Sequence, residues 1–330
     1  MNDKIVLFAK QPGKTSFSSL FTIKHAFNTQ KVGHTGTLDS FASGLLVVCC
    51  GSLTRLASRI TEFDKTYEAV IAFGSETDTL EYTGQVVKTA SLPTKEAFLE
   101  ALKQFSGKLM QTPPSFSAIH INGKRASDIA RSGNVAEIPP RQIEVYSSEV
   151  LELQTKDNLV QYAKVRFSVS KGTYIRSLAR DLGYACGSCA HLVGLLRTKV
   201  GSFLLKDAAG FSLLPDFYIK NCIKDAENYS QNNENKISKE AELELRKQVV
   251  NTAVNMNPEI ASLCGFGTLI LNDDKIAWFR NGGKLSSSMF NVSPFTINEE
   301  YAAVFTQNGA FAGLLQKDSN GYFKYSFVVS

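Results

Sequence analysis

Tryptophan occurs once in these 330 residues, methionine and histidine four times each, and no stretch approaches the roughly twenty consecutive apolar residues of a membrane-spanning helix. The opening Met1-Asn2-Asp3-Lys4, followed by a short apolar stretch, also lacks the layout of a secretory signal, so a soluble, cytoplasmic protein with no membrane partner is expected. The six cysteines, at 49, 50, 186, 189, 222 and 264, have neither the density nor the spacing of a disulfide scaffold and read mostly as small buried hydrophobes. Cys186-Gly187-Ser188-Cys189 has CxxC spacing, but it has no second pair, and His191 alone does not complete a tetrahedral site. No metal is expected. A large charge excess is missing too: 36 Lys and Arg against 31 Asp and Glu leave +5, compatible with nucleic acid without establishing it. Gly13-Lys14-Thr15 imitates the end of a phosphate-binding P-loop, yet the glycine required five positions before Gly13 is Phe8, which excludes a nucleotide hydrolase of that type.

What is present suggests two domains. A strand is expected at Ile5 to Phe8, and a helix from Ser18 onward with Leu20, Ile23 and Phe27 on one face. Leu45 to Cys50 reads as a buried element and Tyr67 to Phe73 as a strand. Thr94 is a candidate N-cap for a scaffold helix bearing Ala97, Leu99, Leu102 and Phe105, ended by Gly107. Residues 111–142, bounded by Pro113-Pro114 and Pro139-Pro140 and carrying Lys124-Arg125, read as an inserted polar excursion. It is either a solvated surface loop or a flap whose cations grip phosphates. Tyr162 to Ser170 alternates as a half-buried strand, and Thr173 to Ala185 follows as a helix, which puts Tyr174, Ile175 and Arg176 at the junction. The polar stretch from Lys220 to Gln248, centred on Asn232-Asn233-Glu234-Asn235, reads as a linker with a helical second half. Short β-like segments beyond it, with Asn308-Gly309 and Asn320-Gly321 as hairpin turns, indicate a small all-β C-terminal domain.

The most informative stretch is Gly33-His34-Thr35-Gly36-Thr37-Leu38-Asp39, continuing through Ser40-Phe41-Ala42-Ser43-Gly44-Leu45-Leu46. It places one carboxylate on a glycine-punctuated loop before the apolar run. On spacing alone Asp39 is either the N-cap of a following helix or a reactive group aimed into a cleft.

This stretch resembles the signature of the bacterial tRNA pseudouridine(55) synthases, the TruB-type family, in which the Asp of the motif is catalytic. Lys10 to Ser16, Phe63-Asp64-Lys65-Thr66-Tyr67 and Ser170-Lys171-Gly172-Thr173-Tyr174-Ile175-Arg176 agree with it in the family's order, so the resemblance covers residues 4 to 205 well and the remainder loosely. It implies an α+β pseudouridine synthase fold, with a mixed, mainly antiparallel sheet flanked by helices and a small PUA-like β domain. The implied division is a catalytic domain at 1–215, a polar and helical linker at 216–255 and an RNA-binding domain at 256–330.

The implied reaction is isomerisation of uridine 55 in the T loop of tRNA, which requires no cofactor and, beyond the tRNA T arm, no obligate protein partner; a monomer is expected. Asp39 would be the nucleophile on a flipped-out base, at ribose C1′ or pyrimidine C6. A water-excluding cleft disfavours an ionised carboxylate and a cation opposes that, so Arg176, at the position of the family's active-site arginine, is expected to pair with Asp39. Tyr67 and Tyr174 match tyrosines that contact the target uridine, and Tyr67 is also placed to assist proton removal from C5. His34 matches a histidine that fills the space left by the base, and Leu195 a leucine against the uracil. Without the resemblance, Arg176 reads as a surface arginine, the tyrosines as half-buried strand residues, His34 as a solvated loop residue and Leu195 as helical core. The sequence departs from the family at Ser40, usually Pro, at Lys10-Gln11-Pro12-Gly13, and at Glu81, usually Asp. A catalytically silent tRNA-binding protein or chaperone of the same fold is the alternative. A carboxylate-nucleophile hydrolase would need a paired acid that no motif supplies.

Overall fold

Residues 3–121, 123–134, 137–229 and 238–329 are described by the computed structural model. The expected 232–235 centre of the linker lies outside them. The apolar runs become the strands β1 (Ile5–Lys10), β2 (Val32–His34), β3 (Ser43–Cys50) and β4 (Lys65–Phe73). A small hairpin of β5 (Ser75–Thr77) and β6 (Val86–Thr89) follows, then β7 (Gly107–Gln111) and a second hairpin of β8 (His120–Ile121) and β9 (Lys124–Arg125). The long β10 (Arg141–Lys156) and β11 (Leu159–Val169), with β12 (Ala190–Val200) and β13 (Phe203–Leu204), complete the large sheet. Its order is β1-β3-β12-β4-β11-β10-β7, with β2 on β3 and β13 on β12. Among its described strand pairs only β12–β3 is parallel, and that pairing is confined to Leu196 opposite Ser43 and Arg197 opposite Gly44. The sheet is therefore mixed and mainly antiparallel.

The helices are α1 (Ser16–Phe27), α2 (Ala57–Thr61), α3 (Lys95–Gln104), α4 (Ala126–Arg131), α5 (Ile175–Ala185), α6 (Ile219–Glu227), α7 (Lys239–Thr252), α8 (Pro258–Leu263) and α9 (Ile276–Arg280). None of the described helices is long and apolar enough to cross a membrane. Thr15 and Thr94 accept backbone N–H groups at the starts of α1 and α3, which satisfies amides that a helix leaves free. The 111–142 excursion carries the β8–β9 hairpin and α4 between its proline pairs.

Strand β3 explains why Leu45 to Cys50 is apolar without alternation. Leu45, Val47 and Cys49 pack with Met256, Ile260, Phe305 and Phe327 of the C-terminal region, while Leu46, Val48 and Cys50 pack with Leu20 and Ile23 of α1 and Leu245 and Val249 of α7. Successive side chains point to opposite faces, and here both faces are covered. The stretch expected as a polar linker thus contains α6 and α7, and α7 closes one face of this core.

The C-terminal sheet has the order β14 (Gly267–Ile270), β15 (Tyr301–Phe305), β16 (Phe311–Lys317) and β17 (Phe323–Val328), with β14 parallel to β15. It is not all-β as expected. α9 buries Phe279 in the core of this unit, and α8 sends Ile260 and Ala261 into the core shared with β3.

Candidate active site

The element after Asp39 is strand β3, so the helix-cap reading of that residue is wrong. Ser43-Gly44-Leu45-Leu46-Val47-Val48 is rich in strand formers, and Gly44 at φ 112° has a backbone no helix accommodates. Asp39 sits on the loop between β2 and β3. The Ser16 hydroxyl donates to Leu38 O at 3.0 Å and accepts from Leu38 N at 2.8 Å, which ties the loop to the first turn of α1. Ser40 O accepts from Gly13 N at 2.8 Å, and the Lys10 ammonium donates to Ser40 O and Ala42 O at 3.2 and 2.5 Å. The turn is therefore closed with serine at position 40.

Arg176, in the first turn of α5, is buried rather than on the surface, with a side chain 5% exposed. Its Nη2 donates to Asp39 Oδ1 at 2.9 Å and to Phe116 O at 3.0 Å, and its Nη1 donates to Thr79 O at 2.9 Å. One guanidinium thus joins the Asp39 loop, the 111–142 excursion and the turn after β5. Its planar fork suits this use, whereas a lysine offers a single point charge. Asp39 keeps a third of its side chain exposed, open to an incoming group.

Tyr67 lies on β4, opposite Phe167 of β11 and Arg197 of β12, and is buried rather than half-buried at 8% exposure. Leu195 is on strand β12, not on a helix, because the run Ala190–Val200 pairs along β4. Both share one apolar cluster with Leu38, Phe41 and Ile175, so they stand beside the Asp39 loop and the start of α5. Tyr174 occupies the N-cap position of α5, where Gln111 accepts from its N–H and donates to its carbonyl. The Arg141 guanidinium lies 4.9 Å from its ring centre. His34 ends β2, half-buried, with a buried Nδ1 that has no partner. Burial, with the Arg197 charge second, lowers its pKa. Neither His34 nor Tyr174 is hydrogen-bonded to Asp39 among the described residues.

Three further residues belong to this neighbourhood. Glu81 is buried; Thr83 donates to its Oε1 at 2.7 Å, its Oε2 has no partner, and its pKa is raised to about 7 by burial and then by the Asp39 charge. A second carboxyl therefore stands near Asp39, one that sequence reading noticed only as a departure from the family. Lys10 is fully buried, and burial pulls its pKa down to about 7 against the opposing effect of Asp39. Arg197, 2% exposed, was not singled out in the sequence, where one arginine in an apolar strand carries no signal of its partners. A separate cleft lined by Glu62, Asp64, Lys199 and Cys264 shares no residue with this constellation.

The arrangement offers a partly exposed carboxylate on a loop tied by hydrogen bonds, a buried cation on it, and Tyr67 and Leu195 in the adjoining apolar cluster. Residues 24–175 match the N-terminal domain of the TruB family pseudouridylate synthases. The chain is 51% identical over 228 residues to tRNA pseudouridine synthase B of Treponema denticola, covering 64% of this chain and 64% of that protein. It is 47% identical over 209 residues to tRNA pseudouridine synthase B of Borreliella burgdorferi, covering 63% of this chain and 73% of that one. Among solved structures it is similar to an H/ACA ribonucleoprotein bound to a substrate RNA containing 2′-deoxyuridine, with a TM-score of 0.63 and 21% identity over 99% of this chain and 85% of that chain. A Cbf5-Nop10-Gar1 complex matches with the same TM-score at 23% identity, over 98% of this chain and 84% of that chain. At these identities the structural likeness shows the fold, and it extends through the C-terminal region. The chain belongs to the TruB family of pseudouridylate synthases.

Proposed function

We propose that this protein isomerises uridine 55 of the tRNA T loop to pseudouridine, with Asp39 as the nucleophile. The observation that carries the reading is the Asp39–Arg176 pair: a carboxylate one third exposed, held at 2.9 Å by a guanidinium that is itself 5% exposed. Binding alone needs no such pair. The target uridine leaves its stack and enters the site with Asp39 at its ribose or at C6. Covalent capture divides one difficult exchange into two easier ones. The N1–C1′ bond breaks, the base turns, the C5–C1′ bond forms, the C5 proton is lost and N1 takes up a proton. Atoms balance without a redox partner or an energy source.

In this reading Tyr67 and Tyr174 supply aromatic faces to the base, Tyr67 helps remove the C5 proton, and Leu195 packs on the uracil. His34, kept from charging by burial and the Arg197 cation, fills the space the base has left. Stacking of this kind is worth about 1–3 kcal/mol per base. Residues 1–215 form the catalytic unit, the cations of 111–142 grip the T arm, and 256–330 act as a PUA-like RNA-binding unit.

The test is tritium release from C5-labelled uridine in tRNA transcripts. Wild type should release tritium from position 55, and Asp39→Asn should lose at least about 10³-fold in rate while still binding tRNA. Release unchanged in Asp39→Asn would remove that residue from its role. Binding without release by wild type on any tRNA would favour the silent RNA-binding alternative.

A further inference from the structure

The Asp39 loop is closed by a residue far from it in sequence. Arg197 lies on β12, in its short parallel contact with β3, and its guanidinium turns back along the loop. Nε donates to Leu45 O at 2.7 Å, Nη2 to Gly36 O at 3.1 Å, and Nη1 reaches Thr37 O at 3.5 Å. Two of these carbonyls precede Asp39 and one follows it. The side chain therefore draws together both ends of the segment that carries the carboxylate.

We propose that Arg197 is a positioning residue for Asp39, fixing the loop through its carbonyls rather than touching the reacting atoms. The inference rests on the reading of Asp39 as the nucleophile. A buried guanidinium normally finds a carboxylate, yet no acidic group lies within ion-pair distance of Arg197 among the described residues; carbonyl dipoles take that place. An apolar side chain of similar volume would fill the space without that desolvation, so simple packing does not account for an arginine here. The loop's glycines fit the same device. A Cβ at Gly44 would sit 2.4 Å from Arg197 O and 2.6 Å from Arg197 N, and one at Gly36 would meet Nη1 at 3.5 Å. The backbone has come close enough for one planar fork to span it. A lysine keeps the charge but cannot present three N–H directions in that plane.

Arg197→Lys and Arg197→Met test this, with Asp39→Asn in parallel. Single-turnover tritium release should fall about 10- to 100-fold in Arg197→Lys, with KM for tRNA within about threefold of wild type, since a displacement near 1 Å at a reacting group costs rate rather than binding. Arg197→Met should lose at least as much. By NMR the His34 imidazole should titrate higher in Arg197→Met and stay near wild type in Arg197→Lys, a readout that loss of packing alone does not separate. A folded Arg197→Lys protein with the wild-type single-turnover rate would overturn the proposal. A slowed Arg197→Lys beside a fully active Asp39→Asn would instead overturn the assignment of Asp39. Hydrogen exchange on the wild-type protein needs no variant: amides 36–45 should exchange no faster than those of β12, and local opening of that loop would also overturn the clamp.

Discussion

Two irregular segments meet at Arg176, and they are held in opposite ways. The Asp39 loop is pinned on every side: by Ser16 from α1, by the Lys10 ammonium from β1, by Arg197 from β12, and by Gly44, whose backbone lies against Arg197. The 111–142 excursion is polar and largely exposed, with a two-residue-strand hairpin, one short helix and an exposed Asp128–Arg131 pair. It is tied to the site at its base, where the Gln111 amide exchanges hydrogen bonds with the Tyr174 backbone, where Arg176 takes Phe116 O and where Ser177 and Arg180 take Thr112 O, while the β8–β9 hairpin and α4 lie beyond these ties. The difference suits the roles proposed for the two segments, since a nucleophile benefits from a fixed position and a segment that grips a large polyanion from solvated cations free to follow it.

Removing Arg176 should separate the two segments most sharply. Arg176→Met is expected to slow tritium release by about 10²- to 10³-fold and to raise hydrogen exchange around Phe116 while 36–45 stays protected. Equal loosening of both segments would erase the contrast. Gly44→Ala attacks the pinned loop alone, placing a Cβ 2.4 Å from Arg197 O at φ 112°. It should cost roughly 2–4 kcal/mol of stability in urea unfolding.

A smaller effect concerns pH. The folded protein holds the Glu81 proton up to about 7, against 4.5 for an ordinary glutamate. The folded state thus binds more protons between those values, and this contribution to stability is complete below 4.5 and lost as pH rises past about 7. On the order of 1–3 kcal/mol should vanish across that window. Glu81→Gln should flatten the profile in unfolding measured from pH 4 to 8. The mildest change is Lys124→Ala with Arg125→Ala, which should raise KM for tRNA by about 3- to 10-fold and reduce the salt slope by roughly one or two, leaving kcat and Tm unchanged.

Much of this architecture was legible in the sequence, because short apolar runs mark β1 and β4, alternation marks β11, helical spacing marks α1 and α3, and Thr94 and Gly107 bracket α3. Spacing alone leaves Asp39 between a cap and a reactive group because an aspartate before an apolar run looks the same whether a helix or a strand follows. Leu195 reads as helical core for the same reason, since β12 is buried on both faces and shows no alternation. The helical second half of the polar stretch is α7, whose Leu245 and Val249 reach the core of β3, whereas α6 hid within polar composition, with only Ile219 and Cys222 buried. Lys10, Glu81 and Arg197 owe their roles to burial among distant segments, which no local pattern announces. Arg176 was legible through its motif, but its grip on Thr79 and Phe116 was not.

The parallel contact of β12 with Ser43 and Gly44 also bears on the timing of synthesis. A ribosome releases the whole Gly33–Gly44 signature early, yet Arg176 and Arg197, which aim and close that loop, emerge much later. Contacts so distant along the chain form after local ones. A nascent or truncated chain that ends before Arg197 carries the complete signature and still lacks the fixed loop, so incomplete copies of this protein are expected to be inert toward RNA chemistry even where they can touch it.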